Sequence, residues 1–421
     1  MNNNFKPSIL GLKRSFGFGD RLGLATPGHM DAILGRPYLG IFAQQSIREL
    51  NRTNRQPKGV MNAAISAVKI ENWSQPWGAD ADHLQTREDV FRMAEAGFTF
   101  FTIDPSDYVN NDADSMSIEE LESTYQNILN ENKLDTSDLI ERYLGETFVI
   151  SDSFQLAFKD KAKLLKAIIK YGIALNYTKK MYNWICEACK NRSFEVEVSI
   201  DETDTPTTPI EHLFIGLELK RMEVEVISVA PRFIGAFEKG IDYKGDILEF
   251  EHQYAQHAKI AKYCGPYKLS IHSGSDKFSI YPIIGRISGE HLHVKTAGTS
   301  YLEALRVICL TDVPLFRDIA NYSRNRFDAD KKTYHISAKL NHLPEIIDDS
   351  ELEYWYLTHE SGRQILHVTF GSVLVNGMNS TKKSFKDLIL NNLTTNDGLY
   401  REVLSVHLGK HIDLLLSETD V

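Results

Sequence analysis

With 421 residues, 42% of them hydrophobic and 25% charged, the chain is long enough for one large domain or two smaller ones around a sizeable core. Its formal net charge of −10 argues against nucleic acid or an anionic membrane surface as the main partner. The opening stretch, "MNNNFKPSILGLKRSFGFG", has no long apolar core and no small-residue cleavage site, and no segment approaches the roughly 20 apolar residues of a membrane span, so a cytoplasmic protein without a membrane partner is expected.

Along the chain, short β-branched or aromatic runs end in polar clusters, and amphipathic helical stretches follow most of them. The first run is "SFGFGDRLGLAT", followed by "HMDAILG". "LGIFAQQS" leads to "MNAAISAVKI", "WGADADH" leads to "REDVFRMAEAG", and "FTFFTIDPSD" is the fourth run. A charged, helix-patterned interruption occupies residues 109–192. It carries Cys186 and Cys189 as a single C-x-x-C. A zinc site usually uses a second pair, so these read as two thiols on a helix in a reducing compartment. The remaining runs are "FEVEVSIDET", "VEVISVAPRFIG", "YKLSIHSGSDKFS" and "LHVKTAGTS", again alternating with helical patterns.

Alternating strands and helices imply a parallel sheet, and eight units fit an α/β fold of the (β/α)8 TIM-barrel type. The rival is an open doubly wound sheet, which would usually carry G-x-G-x-x-G after its first strand. Here "GFGDRLG" puts glycines at 17, 19 and 23, one residue out of that pattern. The expected organisation is a barrel over residues 1–311, with the helical insertion 109–192 after strand four lying over the catalytic face. A mainly helical C-terminal extension, residues 312–421, packs on the barrel and contains one strand-like run, "RQILHVTFGSVLV".

Barrel active sites form at the C-terminal strand ends. Those ends carry Asp20 and Arg21; Gln44 and Gln45; Asp80, Asp82 and His83; Asp104 and Asp107; Glu195, Glu197, Asp201 and Glu202; Arg232; His272, Ser273, Asp276 and Lys277; and His293, Lys295 and Thr296. Gly78, Ala79 and Ala81 are read as small residues that let a ligand or metal approach Asp82; a capped loop is the alternative. In "FEVEVSIDET" the carboxylates alternate with Val196, Val198 and Ile200, so the acidic face points into the barrel. Such carboxylates need a cationic partner inside the barrel, a role in acid/base chemistry, or a metal. His83, His272 and His293 come from strand ends that can converge on one divalent cation, with zinc, manganese, iron, cobalt and nickel all suited to such donors. His293 also reads as a group that supports a ligand or touches substrate. Lys239, Lys244, Lys277 and Lys295, with Arg21 and Arg232, concentrate positive charge at that end, which suggests a small anionic substrate or pairing with the neighbouring carboxylates.

The segments "SFGFGDRLGLATPGH", "IFAQQSIRE", "GADADH", "FTIDPSD", "EVSIDETDTPT", "RFIGAFEKGIDYKGD", "HSGSDKFS", "HVKTAGTSYLEA" and "YHISA" together resemble the tagaturonate/fructuronate epimerase family from about Ser15 to beyond Thr369. Family members carry an extra N-terminal region, whereas this chain starts almost at the barrel. The resemblance implies an isomerase of hexuronate catabolism that interconverts D-tagaturonate and D-fructuronate with one divalent metal cation. It implies Asp82 as proton acceptor, Glu197 as proton donor, His83 and His272 as metal ligands and Lys239 as a substrate residue. His293, Glu202 and Lys277 are further candidates for the site. The inverted carbinol carbon is not next to the ketone, so either a retro-aldol cleavage or direct carbon deprotonation between two groups has to be considered. The rival functions are another metal-dependent sugar-acid isomerase or aldolase, and a sugar-acid-binding barrel without turnover.

Overall fold

Ten strands occur in the computed structural model, which describes residues 5–419; the first four residues of the opening stretch and the last two of the expected extension lie outside the described residues. They are β1 (Ser15–Gly19), β2 (Leu39–Ser46), β3 (Gly78–Leu84), β4 (Phe100–Ile103), β5 (Thr147–Ser151), β6 (Phe154–Ala157), β7 (Glu195–Ile200), β8 (Ser228–Pro231), β9 (Lys268–Ile271) and β10 (Leu292–Thr296). All but β5 and β6 form one closed parallel barrel in the order β1-β10-β9-β8-β7-β4-β3-β2, with helices around it. The eight runs read from the sequence are its eight strands.

Period-two patterning decides which side chains enter the barrel. On β7, Val196, Val198 and Ile200 join the apolar shell beneath the helices, leaving Glu195, Glu197 and Ser199 for the interior. On β3 the same alternation sends Ala79 and Ala81 outward into that shell, while Asp80 and Asp82 face in. The alanines therefore serve strand–helix packing rather than ligand approach. Gly78 faces inward at the base, where a Cβ would press on Ile41 and Leu10 at 3.0 and 3.1 Å. That base is closed by Leu10, Ile41 and Phe100. Glu195 is spent there, accepting the backbone N–H groups of Leu10 (2.9 Å) and Gly11.

Helix starts are marked by side-chain caps at Ser46, Thr86 and Asp246, and by capping boxes at Ser117/Glu120 and Thr208/Glu211. Between β4 and β7 the chain runs through helices Ile118–Asn130 and Leu139–Tyr143, the antiparallel hairpin β5–β6, and helix Lys161–Ala188. That last helix packs against helices Arg87–Ala96 and Pro209–Arg221, so it occupies a place in the barrel's outer ring. Its Lys170, fully buried, reaches Asp114 (2.8 Å) and Glu211 (3.4 Å) and ties the excursion to the ring. The hairpin had no helical periodicity to reveal it and was absorbed into a helix-rich reading.

The strand-like run "RQILHVTFGSVLV" is helical, lying within helix Glu360–Asn376. Residues Ser361–Phe370 are all buried, so the segment is enclosed on every side and carries no solvent-facing stripe. Periodicity does not separate such a helix from a buried strand. The final helix, Asp397–Leu416, packs across the short helices Thr26–Ile33 and Tyr281–Ser288. Glycines allow the approach: a Cβ on Gly285 would collide with the Leu415 carbonyl, and one on Gly28 would lie 2.7 Å from Leu404 Cβ. Gly285→Ala is expected to destabilise the fold by about 1–3 kcal/mol through overpacking against backbone; the denaturant midpoint of the variant measures it, and an unchanged midpoint would show that the helices separate freely.

Candidate active site at the barrel mouth

The centre of the barrel holds one ammonium among three carboxylates. Lys295 Nζ, from β10, lies 2.8 Å from Asp80 Oδ2 and Asp82 Oδ1 on β3, and 2.8 Å from Glu197 Oε1 on β7. It also donates to Thr102 Oγ1 at 2.6 Å, and that hydroxyl donates to Asp80 Oδ1 at 3.0 Å. Burial opposes the ammonium charge, but the three carboxylates outweigh it and raise the lysine pKa well above its ordinary value. Burial also opposes ionisation of Asp82, yet Lys295 and the imidazoles of His83 and His272 hold its carboxyl below the usual range. Asp80 goes the other way: burial and repulsion from Asp82 and Glu197 prevail over Lys295 and raise it.

Above this network sit two imidazoles, with ring centroids 5.1 Å apart. His272 Nε2 donates to Glu197 Oε1 at 2.7 Å. Its Nδ1 faces Asp201 Oδ1 at 3.2 Å and, although buried, has no hydrogen-bond partner. A ring lone pair aimed at a carboxylate oxygen is repulsive unless a proton or a cation stands between them. His83 Nδ1 bonds Asp104 Oδ2 at 3.1 Å, which leaves Nε2 facing the same space, 3.8 Å from Asp82 Oδ1. Both rings are therefore oriented by a carboxylate on one nitrogen and present the other, the usual arrangement for metal-bound histidine. His83, Asp201 and His272 offer ligand atoms within 4.8 Å of one another, a donor set that fits one divalent transition metal. With only protons as counter-ions, burial would lower both histidines, but the surrounding carboxylates win and lift His83 to about 10 and His272 to about 9. The site thus demands positive charge. His83 itself has φ of 52°, a left-handed conformation uncommon outside glycine, and is held there by its strand end.

Other residues expected at the site are placed as follows. His293 lies deeper in the barrel, with Nδ1 3.0 Å from Ser15 Oγ and its ring 5.4 Å from Phe100, so it does not converge with His83 and His272. Glu202 sits at the mouth in an ion pair with Arg48 at 3.2 Å, and also falls in a second acidic–imidazole group with His83 and Asp104. Lys239 donates to Ser273 Oγ at 2.5 Å and lines the cleft. Lys277 is spent on structure, donating to the carbonyls of Glu238, Ile241 and Ser275 at 2.8, 2.5 and 2.9 Å. Arg21 pairs with Glu49, Lys244 with Glu360, and Asp20 caps its own loop through the N–H groups of Leu22, Gly23 and Ala25. Gln44 and Gln45 are bonded to the Thr296 carbonyl and Glu49. Most of the expected cations are thus committed to local partners.

Asp201 was visible as a strand-end acid but was not assigned to the metal group. Its place in the inward register of "EVEVSID", four residues after Glu197, was the available signal. Arg48 and Tyr334 were not singled out at all; they arrive from outside the strands. Both line two adjoining cavities, of about 240 and 350 Å³, that together form the cleft above the imidazoles. Asp276, His407 and His411 form a separate cluster. There Arg363 and His407 take the two carboxylate oxygens at 2.7 Å, and His411 Nε2 accepts the Asp276 N–H, so its groups are already satisfied.

Among the described residues no helix is long and apolar enough to cross a membrane. A family profile described as tagaturonate epimerase, UxaE, matches residues 1–415. The tagaturonate/fructuronate epimerase of Thermotoga maritima is 41% identical over 415 residues, covering 98% of this chain and 82% of that protein. The glycerol-complexed crystal structure of fructuronate-tagaturonate epimerase UxaE from Cohnella laeviribosi superposes with a TM-score of 0.92 at 39% identity, over 98% of this chain and 83% of that one. The native structure of the same Cohnella enzyme gives 0.91 at 38%, with equal coverage. With its closed eight-stranded barrel and this match along almost its whole length, the chain belongs to the tagaturonate epimerase family.

Proposed function

We propose that the chain interconverts D-tagaturonate and D-fructuronate as a metal-dependent epimerase, with Asp82 and Glu197 as its proton-transfer groups. The observation that carries this reading is the pairing of two carboxyl groups on separate strands, β3 and β7, through the Lys295 ammonium, with an imidazole–carboxylate pocket directly above them. His83, His272 and Asp201 would hold the metal, and when bound it supplies a Lewis acid for the substrate ketone. Lys239 and Arg48 line the cleft and supply positive charge for a small anionic keto-sugar acid.

The chemistry favours carbon–carbon cleavage over direct carbon deprotonation. The inverted carbinol carbon lies one bond beyond the carbon next to the ketone, so a carbanion formed on it has no ketone to delocalise it. Asp82, held strongly ionised beside Lys295, is a weak base unsuited to such an unactivated C–H. It is suited to accepting the hydroxyl proton of that carbinol as the bond to the neighbouring carbon breaks and the electron pair passes to the ketone oxygen. The aldehyde then turns and re-adds from its other face. Glu197 Oε2, buried and without a hydrogen-bond partner, is the carboxyl oxygen that, when protonated, would give its proton to the re-formed alkoxide and be left as the carboxylate.

Conversion of fructuronate to tagaturonate by the purified protein is expected to stop with chelator and return with manganese, zinc, nickel, cobalt or iron(II). Asp201→Asn and His272→Ala are expected to lower bound metal per chain, measured by elemental analysis; turnover untouched by chelator would sink the metal reading. Asp82→Asn and Glu197→Gln are each expected to cut kcat by about 100-fold or more with bound metal retained. In D2O the inverted carbon is expected to keep its own hydrogen while an added aldehyde trap captures a three-carbon fragment. Deuterium at that carbon with no fragment would replace cleavage with direct deprotonation.

A further inference from the structure

The metal pocket, Asp82 and Glu197 account for the ketone and the carbinol of the substrate but not for its carboxylate, which lies two carbons beyond the carbinol that inverts. The cavity of about 240 Å³ that contains Asp82 and His83 is also lined by Arg21, Lys239 and His367. His367 comes from helix Glu360–Asn376 and is only 2% exposed, yet its Nδ1 is buried without a hydrogen-bond partner. Buried polar atoms are ordinarily paired, and an exception in a cavity wall points to a group supplied from outside. The ring lies over Gly298, where a Cβ would collide with it. Gly298 opens helix Thr299–Thr311 without a side-chain cap, and its neighbour Ala297 lines the same cavity. The helix start thus adds partial positive charge beside the imidazole.

We infer, on the epimerase reading of the site, that the Lys239 ammonium and the His367 imidazole together hold the substrate carboxylate, beside the fixed charge of Arg21, and so select a uronate over the neutral sugar. The charge count at this corner calls for one anion. Arg21 is answered by Glu49 at 2.8 Å and is held against the Phe370 ring, whose centroid is 3.5 Å from its guanidinium carbon. Arg48 is answered by Glu202. Lys239 forms no ion pair among the described residues and donates to the neutral Ser273 hydroxyl. Burial, with Arg21, Lys239 and Arg363 nearby, holds the His367 imidazole well below its ordinary pKa, so the ring is neutral and has one N–H to give. An enclosed N–H without an acceptor is rarer than an enclosed lone pair, which puts the proton on Nε2 and makes that nitrogen the donor. The corner is also rigid. From the same helix face as His367, Arg363 donates to the Gly240 carbonyl at 2.8 Å and Gln364 to Glu238 at 2.8 Å, which fixes the loop carrying Lys239. In the cleavage route the pair retains the three-carbon aldehyde acid while its carbonyl turns.

Two variants of the metal-loaded enzyme test the subsite. His367→Phe keeps a flat ring over Gly298 and removes both nitrogens; Lys239→Met removes the ammonium. D-fructose is the probe for the rest of the site, since it carries CH2OH where fructuronate carries the carboxylate. Each variant is expected to lose about 30-fold or more in kcat/KM for fructuronate, the size of one charge-assisted hydrogen bond. The inhibition constant of D-fructose against fructuronate is expected to stay within threefold of wild type, and bound metal per chain to be unchanged. Should His367→Phe not fold, Lys239→Met decides, because that side chain is half-buried and bonded to Ser273 alone. A kcat/KM for fructuronate within threefold of wild type overturns the subsite. Weakening of fructose in step with fructuronate, or loss of bound metal, also overturns it, since the two residues would then only shape the cleft. Wild-type enzyme run alongside separates the two readings: absence of fructuronate conversion there removes the epimerase assignment and the subsite with it, whereas wild-type turnover with unimpaired variants removes the subsite alone.

Discussion

The structure turns on one ammonium enclosed by three carboxylates. A barrel interior is ordinarily filled by branched apolar side chains, and a buried carboxylate left unpaired costs several kcal/mol. Here Asp80, Asp82 and Glu197 are buried together, and Lys295 touches all three. The four side chains come from β3, β7 and β10, so their pairing requires a closed sheet, and removal of the ammonium would leave charges whose exposure to one another costs on the order of 3–5 kcal/mol. Charge neutralisation in the interior therefore depends on the closed barrel. Below this group Leu10, Ile41 and Phe100 close the base of the barrel, where Glu195 is satisfied by the backbone N–H groups of Leu10 and Gly11.

One ammonium does not balance the acids at this end of the barrel. Above Lys295 the anionic groups continue as Asp201 and Asp104, each facing an imidazole. Each imidazole turns one nitrogen to a carboxylate and the other to the same small space. A structural ion-pair network would have supplied a second lysine or arginine there. The chain instead supplies two neutral-capable nitrogens and a carboxylate, which is the chemistry of a metal pocket. Lys295 meanwhile holds Asp82 and Glu197 directly beneath that group. With the ammonium as their counter-ion, the carboxyls of Asp82 and Glu197 are held below the usual range, while His83, His272 and Asp201 bring ligand atoms to one small space.

Much of the barrel was legible because its causes are local. A period of two in "FEVEVSIDET" fixes which side chains enter, and alternation of strand and helix patterns counts the units. His83 and His272 were legible as strand-end residues for the same reason. What escaped depended on contacts distant in sequence. Lys295 looked like charge for a substrate because its three partners lie 98 to 215 positions away, and the pattern of one strand does not name the others. His293 occupies a strand in the same way as His272, but it sits one layer lower, beside Ser15 and Phe100, and only the register β1–β10 reveals that depth. Arg48 and Tyr334 reach the cleft from a helix and a C-terminal loop whose patterns carry no barrel signal. Helix Glu360–Asn376 was misread since burial on nearly all sides erases the helical stripe.

The C-terminal helices explain how loops at the mouth can hold strained conformations. After β9 the chain passes through Ser273 and Asp276 with φ of 50° and 62°, conformations that persist only when neighbours over-determine them. Arg363 from helix Glu360–Asn376 and His407 from helix Asp397–Leu416 clamp Asp276 at 2.7 Å each, and His411 takes its N–H. Next in sequence, Lys277 donates to the carbonyls of Glu238 and Ile241 and so fastens the loop after β8 to the loop after β9. Those two loops carry Lys239 and Ser273, which bond one another at the cleft. The barrel strands thus set the height and direction of the imidazoles and carboxylates, while the extension sets the cleft around them. A barrel ending at its eighth helix would retain the charged core and lose the groups that hold Lys239 over it.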